Sequence, residues 1–198
     1  MAPKAKQKRS QDRINKILNT AEEILDTESM DSLTIARISH IAELKRTSTY
    51  KFFQTPDEIK LALVERYMEN CNHLLASELD ANHDSDYPSC LKECVVIIMN
   101  FFKSNPGAQK LILENTMAPS IPSSDLHKIA STILDHVESS IGLPNMFNKP
   151  GVFLVVSQII FSILSLNTKE DGELTDVGLN EAVRATHAYL LSCIAVPT

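Results

Sequence analysis

The sequence predicts an all-α fold of about nine helices, and three observations carry that reading. Apolar residues recur at helical three-to-four spacing along most of the 198 residues, and strict apolar/polar alternation is rare. The chain holds only 5 Gly and no Trp. Pro, Gly and acidic clusters punctuate the periodic stretches at intervals that suit helices rather than strands.

The first helix is expected over 11–27, with Ile14, Ile17, Leu18, Ala21, Ile24 and Leu25 on one stripe. Ile35, Ile38, Ile41 and Ala42 predict a short helix over 34–41, and Ala42, Glu43 and Leu44 form a tight connection to a second short helix over 45–52. The fourth start signal is the clearest. Thr55 offers a capping hydroxyl, Pro56 occupies the first helical position, and Asp57 and Glu58 follow near the positive end of the helix dipole. That helix is expected to reach residue 79 and to stop before the polar stretch 80–86. Five more are expected over 88–103, 106–116, 124–141, 150–167 and 175–195, separated by Pro106-Gly107, by 119–122, by Gly142-Leu143-Pro144 and by Glu170-Asp171-Gly172.

A net charge of −6 argues against a polyanionic partner, but the way the charge is distributed along the chain argues for one. Residues 1–60 carry 11 Lys or Arg against 9 Asp or Glu, whereas 61–198 carry 8 against 16. The excess gathers at the start, where Lys4, Lys6, Lys8, Arg9 and Arg13 face only Asp12. Residues 1–9 are therefore expected to form a basic arm along phosphates, with a solvated tail as the alternative. No apolar h-region precedes the 4 Cys, so reduced thiols and a cytoplasmic location are expected. The most apolar run, 152–166, is interrupted by Ser157, Gln158, Ser162 and Ser165, and no membrane span is expected from it.

Residues 34–53 read TIARISHIAELKRTSTYKFF. Lys45, Arg46, Thr47, Ser48, Thr49, Tyr50 and Lys51 form a run of basic and hydroxyl side chains with one aromatic. Guanidinium and ammonium groups suit phosphate and guanine, and hydroxyls and a phenol suit phosphate oxygens. A short helix, a tight turn and a short polar helix make the helix-turn-helix order, which points to a transcription regulator on double-stranded DNA. Tyr50 is the first candidate for a phosphate contact, with a ring packed between helices as the alternative. Arg46 and Thr47 lie where base edges are reached, or else on a solvated face. Thr34 is expected to cap the first helix of the motif and is also a candidate phosphate contact. Arg37 is a candidate DNA contact or one half of a surface ion pair. Lys45, Ser48 and Lys51 complete the DNA-binding set, while Ile38, Leu44, Phe52 and Phe53 read as packing.

Residues 10–68, with this motif at 34–53, resemble the DNA-binding domain of the tetracycline-repressor (TetR) family of bacterial regulators. The resemblance rests on Arg13, Ile17, Leu18 and Ala21, then Thr34, Ile38 and Ala42, then Thr47, Ser48, Thr49, Tyr50 and Phe53. It implies a homodimer that binds a palindromic operator as a repressor and releases it when a small-molecule effector enters a C-terminal domain, here 69–198. Three positions depart from the family pattern. Glu43 stands where Gly is common, so the turn must avoid left-handed angles or tolerate their cost. Lys45 stands where Ser caps the reading helix, which costs about 1 kcal/mol locally. Pro56 replaces a phosphate-binding Lys. These departures leave an alternative of another class, a reading head with weak DNA affinity that acts through a protein partner.

In the C-terminal part, Met99, Phe101, Phe102, Leu113 and Met117 are the candidate effector pocket, with Asn100 or Asn115 as a polar handle. Ordinary core packing is the competing reading. The helices over 150–167 and 175–195 are expected to meet their copies through Phe153, Val156, Ile160, Phe161, Leu164, Val183, Leu190 and Ile194. Burial inside one protomer is the alternative. Cys90 and Cys94 lie one turn apart and read as buried structural thiols or as an oxidant sensor. None of the 6 His falls at zinc-like spacing to a Cys, so no metal is expected, and no cofactor either. Catalytic motifs are missing, and the pairs Asp84 with His83 and His127 with Asp125 read as surface groups, so an enzyme is not expected.

Overall fold

The computed structural model describes residues 2–79, 86–114 and 121–194, with side chains from residue 7 onward. Among these residues there are nine α-helices and no strand: α1 (Ala2–Thr27), α2 (Ile35–Ile41), α3 (Arg46–Thr49), α4 (Pro56–Glu78), α5 (Tyr87–Ser104), α6 (Pro106–Ala108), α7 (Ser123–Ser140), α8 (Lys149–Asp171) and α9 (Asp176–Ile194). A 3-10 turn (Met30–Ser32) precedes α2, and α6 runs on into a six-residue π-turn, Gln109–Glu114. Lys4, Lys6, His83, Asp84, Asn115 and Met117, singled out from the sequence, lie outside the described side chains.

Helix α1 starts at Ala2 rather than at Gln11, so the stretch expected to be an arm belongs to a continuous helix. Ala, Lys, Gln and Arg are strong helix formers, and the apolar stripe that marked the helix begins only where it meets the core. Ile17, Leu18, Ala21, Ile24 and Leu25 are buried against the head's other helices. Arg66 of α4 reaches across to α1, donating to Asn19 Oδ1 at 2.7 Å and pairing with Glu22 at 3.3 Å. The start of α4 follows its sequence signal. Thr55 accepts the Glu58 N–H at 3.2 Å, and the Glu58 carboxylate accepts the N–H of Gln54 at 2.6 Å.

The C-terminal helices enclose one core. Helix α5 buries Cys90, Leu91, Cys94, Val95, Ile97, Ile98, Met99, Phe101 and Phe102. The Phe102 ring meets Phe101 and Phe161 edge-on, at centroid distances of 5.3 and 5.9 Å. Met99, Phe101, Phe102 and Leu113, the described members of the candidate pocket, are thus buried among other side chains. Burial disfavours the thiolates of Cys71 and Cys94, pushing the first up to about 12 and the second higher still, with Cys90 and Glu93 adding to the second. The same packing makes Asp125 a buried group rather than a surface one, paired with Lys128 at 2.8 Å.

Helix α8 is long and apolar enough to span a membrane by composition. Its polar residues nevertheless find partners within the fold. Ser157 and Thr168 donate to the carbonyls of Phe153 and Leu164, one turn back, at 3.0 and 2.9 Å. Gly172 ends α8 in the left-handed region at φ 77°, and Asn167 ties the turn into α9 by accepting the Thr175 N–H at 2.8 Å.

The fold turns most of the residues expected at a dimer face inward. Phe153, Val156, Ile160, Phe161, Leu164 and Leu190 are buried inside the protomer. Val183 and Ile194 are half-buried against the same core. The most apolar ridge of each helix turned inward, as amphipathicity requires. The outward stripes are different. On α8 they carry Val155, Ile159, Ser162 and Leu166, and on α9 Val177, Arg184, Ala188 and Leu191. Leu166 is 59% exposed and Val177 66%.

Candidate nucleic-acid interface

Helices α2 and α3 are built by local signals and then locked together. Thr34 caps α2 by accepting the Arg37 N–H at 3.2 Å. Ile35, Ile38 and Ala42 bury the inner face. Ser39, also buried, donates to the Ile35 carbonyl at 2.6 Å and sits 2.8 Å from the Thr49 hydroxyl, itself fully buried in α3. That hydroxyl pair fixes the crossing of the two helices, because a buried polar group that loses its partner costs about 1–3 kcal/mol.

The turn between them resolves the question raised by Glu43. Its φ is 50°, so a glutamate occupies the left-handed region. The Leu44 N–H reaches back to the Ser39 carbonyl at 2.9 Å and holds the turn closed. Lys45 precedes α3 at the capping position and offers no side-chain cap, as its chemistry requires. Helix α3 is a single four-residue turn, not the longer helix over 45–52. Beyond it the Phe52 and Phe53 N–H groups both turn back to the Thr49 carbonyl, at 2.9 and 3.0 Å, and so tighten the exit.

What faces outward is polar and cationic. Arg46, Thr47 and Lys51 are exposed, and Tyr50 is 51% exposed, so its ring is not packed between helices. Arg13 of α1 meets Glu43, Leu44, Lys45, Thr47, Ser48 and Lys51 around a surface cleft of about 450 Å³. Three cations thus share the cleft with two hydroxyls, a donor set suited to phosphate. From the sequence Arg13 stood out in the basic start and in the family resemblance, but not as a DNA contact, and the packing of α1 beside the turn is what brings it here. Arg37 is drawn away into an ion pair with Glu28 at 2.5 Å, and the Thr34 hydroxyl is committed to its cap. Both remain exposed at the entrance to α2.

Glu43 is the discordant member, because its carboxylate in this cleft repels an anion and its β-carbon is strained at a left-handed φ. Glu43→Gly is expected to raise stability by up to about 1 kcal/mol, by removing left-handed strain. The same change is expected to tighten binding to duplex DNA a few-fold. Denaturant unfolding and a titration at fixed salt check the two effects.

No family model and no curated protein sequence matches the chain. Solved structures do. A TetR-family transcriptional regulator from Streptomyces coelicolor superposes with a TM-score of 0.68 at 19% identity, covering 91% of this chain and 99% of that one. A TetR transcriptional regulator from Rhodococcus sp. RHA1 gives 0.66 at 11% identity, covering 91% and 96%. The TetR family repressor AlkX from Dietzia sp., implicated in biodegradation of n-alkanes, gives 0.58 at 13% identity, covering 90% and 95%. The all-helical fold agrees over nine-tenths or more of each chain. The chain has the fold of the TetR-family transcriptional regulators.

Proposed function

We propose that the chain is a DNA-binding transcription regulator of the TetR type, a homodimer that represses from a palindromic operator and leaves it when a small molecule binds. The observation that carries this reading is the convergence of Arg13, Lys45 and Lys51 on one cleft, beside exposed Arg46, Thr47 and Tyr50. Lys45, Lys51, Arg13 and Tyr50 hold phosphates, and Arg46 and Thr47 reach base edges from the start of α3. A single head this small binds weakly. Two heads on half-sites about 34–36 Å apart supply affinity and specificity. The second copy is met by the outward stripes of α8 and α9, through Val155, Ile159, Leu166, Val177 and Leu191. Repression is favoured by AlkX, a repressor with the same fold. An effector that enters between α5, α8 and the π-turn must part Met99, Phe101, Phe102 and Leu113, and it shifts the dimer only by binding one geometry better than the other. A bacterial cytoplasm is the compartment in which such a partner is met.

The test is selection of bound fragments from a genomic DNA pool at two salt concentrations. Enrichment of a palindrome whose half-sites lie one helical turn apart, weakened by salt, is the expected result. No enrichment at low salt, with salt-insensitive capture of a protein instead, overturns it in favour of a head that acts through a protein partner.

A further inference from the structure

The C-terminal end of α1 and the N-terminal end of α6 cap each other. Helix α1 has no basic residue in its own last turn, and it carries Asp26 there, the wrong sign for the negative end of a helix dipole. Lys110, 84 residues on from Asp26, supplies the missing cation. Its ammonium donates to the carbonyls of Leu25 at 2.7 Å and Glu28 at 3.1 Å, and lies 3.5 Å from that of Asp26. In return the Asp26 carboxylate accepts the Gly107 N–H at 3.0 Å, at the start of α6, where Asn105 provides no side-chain cap.

The joint is tight on its third side. A β-carbon on Gly107 would meet the Tyr67 hydroxyl of α4 at 2.8 Å and Asp26 Oδ1 and Leu25 Cβ at 3.0 Å each. Burial, with Glu22 and Asp26 nearby, pushes the Tyr67 phenol above its ordinary range and keeps it neutral. Lys110 itself lies in the π-turn, and the far end of that turn is fastened to α8, whose Ser165 hydroxyl donates to the Leu113 carbonyl at 2.6 Å.

We propose that this reciprocal cap, with Lys110 and Asp26 as its positioning residues, sets the angle of the DNA-reading head on the body and so the spacing of half-sites that a dimer accepts. The inference rests on the DNA-reading function proposed above and adds the element that sets its geometry. Helix α1 carries Arg13 near its middle and is held by Lys110 at its C-terminal end, and a rigid helix conveys the clamp to the cleft. The π-turn connects the clamp to the helix that faces the second copy.

The experiment compares the protein with Lys110→Met, which keeps the aliphatic stem and removes the charge, and with Lys110→Arg, which can still donate to carbonyls. Two readouts are taken. One is the distance distribution between spin labels at exposed Lys16 of α1 and Lys169 of α8, with labelled chain diluted in unlabelled chain. The other is relative affinity for the selected palindrome and for versions with the half-sites moved by one and two base pairs. Lys110→Met is expected to broaden the distribution and to reduce the spacing discrimination about tenfold, with single half-site affinity within twofold and with Lys110→Arg close to wild type. An unchanged distribution with unchanged spacing preference overturns the proposal. A uniform loss of affinity on every DNA also overturns it, because that marks damage to the head. Should Lys110→Met not fold, Asp26→Ala reads the same two quantities from the other half of the cap. Should the wild type bind no palindrome, the DNA function fails, and the distance distribution alone decides the clamp.

Discussion

Phe161→Asp is expected to prevent folding rather than to separate folded protomers. The ring is 3% exposed and stands edge-on against Phe102. Replacing it removes a large apolar side chain and buries an unpaired carboxylate. Losing the ring alone costs about 3–5 kcal/mol. A whole domain is stable by only about 5–15 kcal/mol, and the buried charge adds several more to the loss. Leu166→Asp is the contrasting change. Its side chain is 59% exposed on the outer stripe of α8, so the protomer fold should persist while a symmetric contact there is repelled twice. Circular dichroism and sedimentation velocity separate the cases. Phe161→Asp should lose helical signal, and Leu166→Asp should keep it and sediment as a monomer. A Leu166→Asp protein that sediments as a native-like dimer places the interface elsewhere.

The second large effect concerns the cleft. Arg13→Ala, Lys45→Ala and Lys51→Ala together remove three cations from each head, and both heads of a dimer lose them. Each phosphate contact contributes about 0.9 to the slope of log affinity against log salt, so the triple variant should show a visibly flatter salt dependence. Its affinity at low salt should fall on the order of a thousandfold, the scale on which several phosphate contacts act. Thermal unfolding should move little, because all three side chains are exposed. Arg46→Ala and Tyr50→Phe, taken singly, should weaken operator binding by smaller factors. Loss at Arg46 should also relax base preference, which loss of a phosphate contact does not.

Much of this was legible in the residues, for identifiable reasons. The capping signal at Thr55, the cap at Thr34 and the stripe of α1 act over three or four residues, and such signals survive any tertiary environment. The basic and hydroxyl run from Lys45 to Lys51 was readable as an outward polar surface because its residues are consecutive in the chain. Thr49 is the exception inside that run. It turns inward to Ser39, and only the crossing of α2 over α3 selects which hydroxyl of the series is structural. Arg13 entered the cleft through the rigidity of α1, a helix whose start was masked by the lack of apolar residues before Ile14.

The outward face of α8 shows the opposite situation. Helix α8 is apolar on almost every side, so its composition says that it is buried somewhere without saying which ridge faces which neighbour. The joint at Lys110 was equally invisible, since its partners are backbone carbonyls more than 80 residues away. By itself, then, the sequence determined an all-helical chain, the order of its helices, the caps that start them and a head chemically suited to phosphate. Those follow from interactions local along the chain. Tertiary structure alone decided which apolar ridges stay outside, which hydroxyl locks α2 to α3, and how Lys110 joins the end of α1 to the π-turn. Those depend on contacts between residues far apart in sequence, whose pairing no local periodicity encodes.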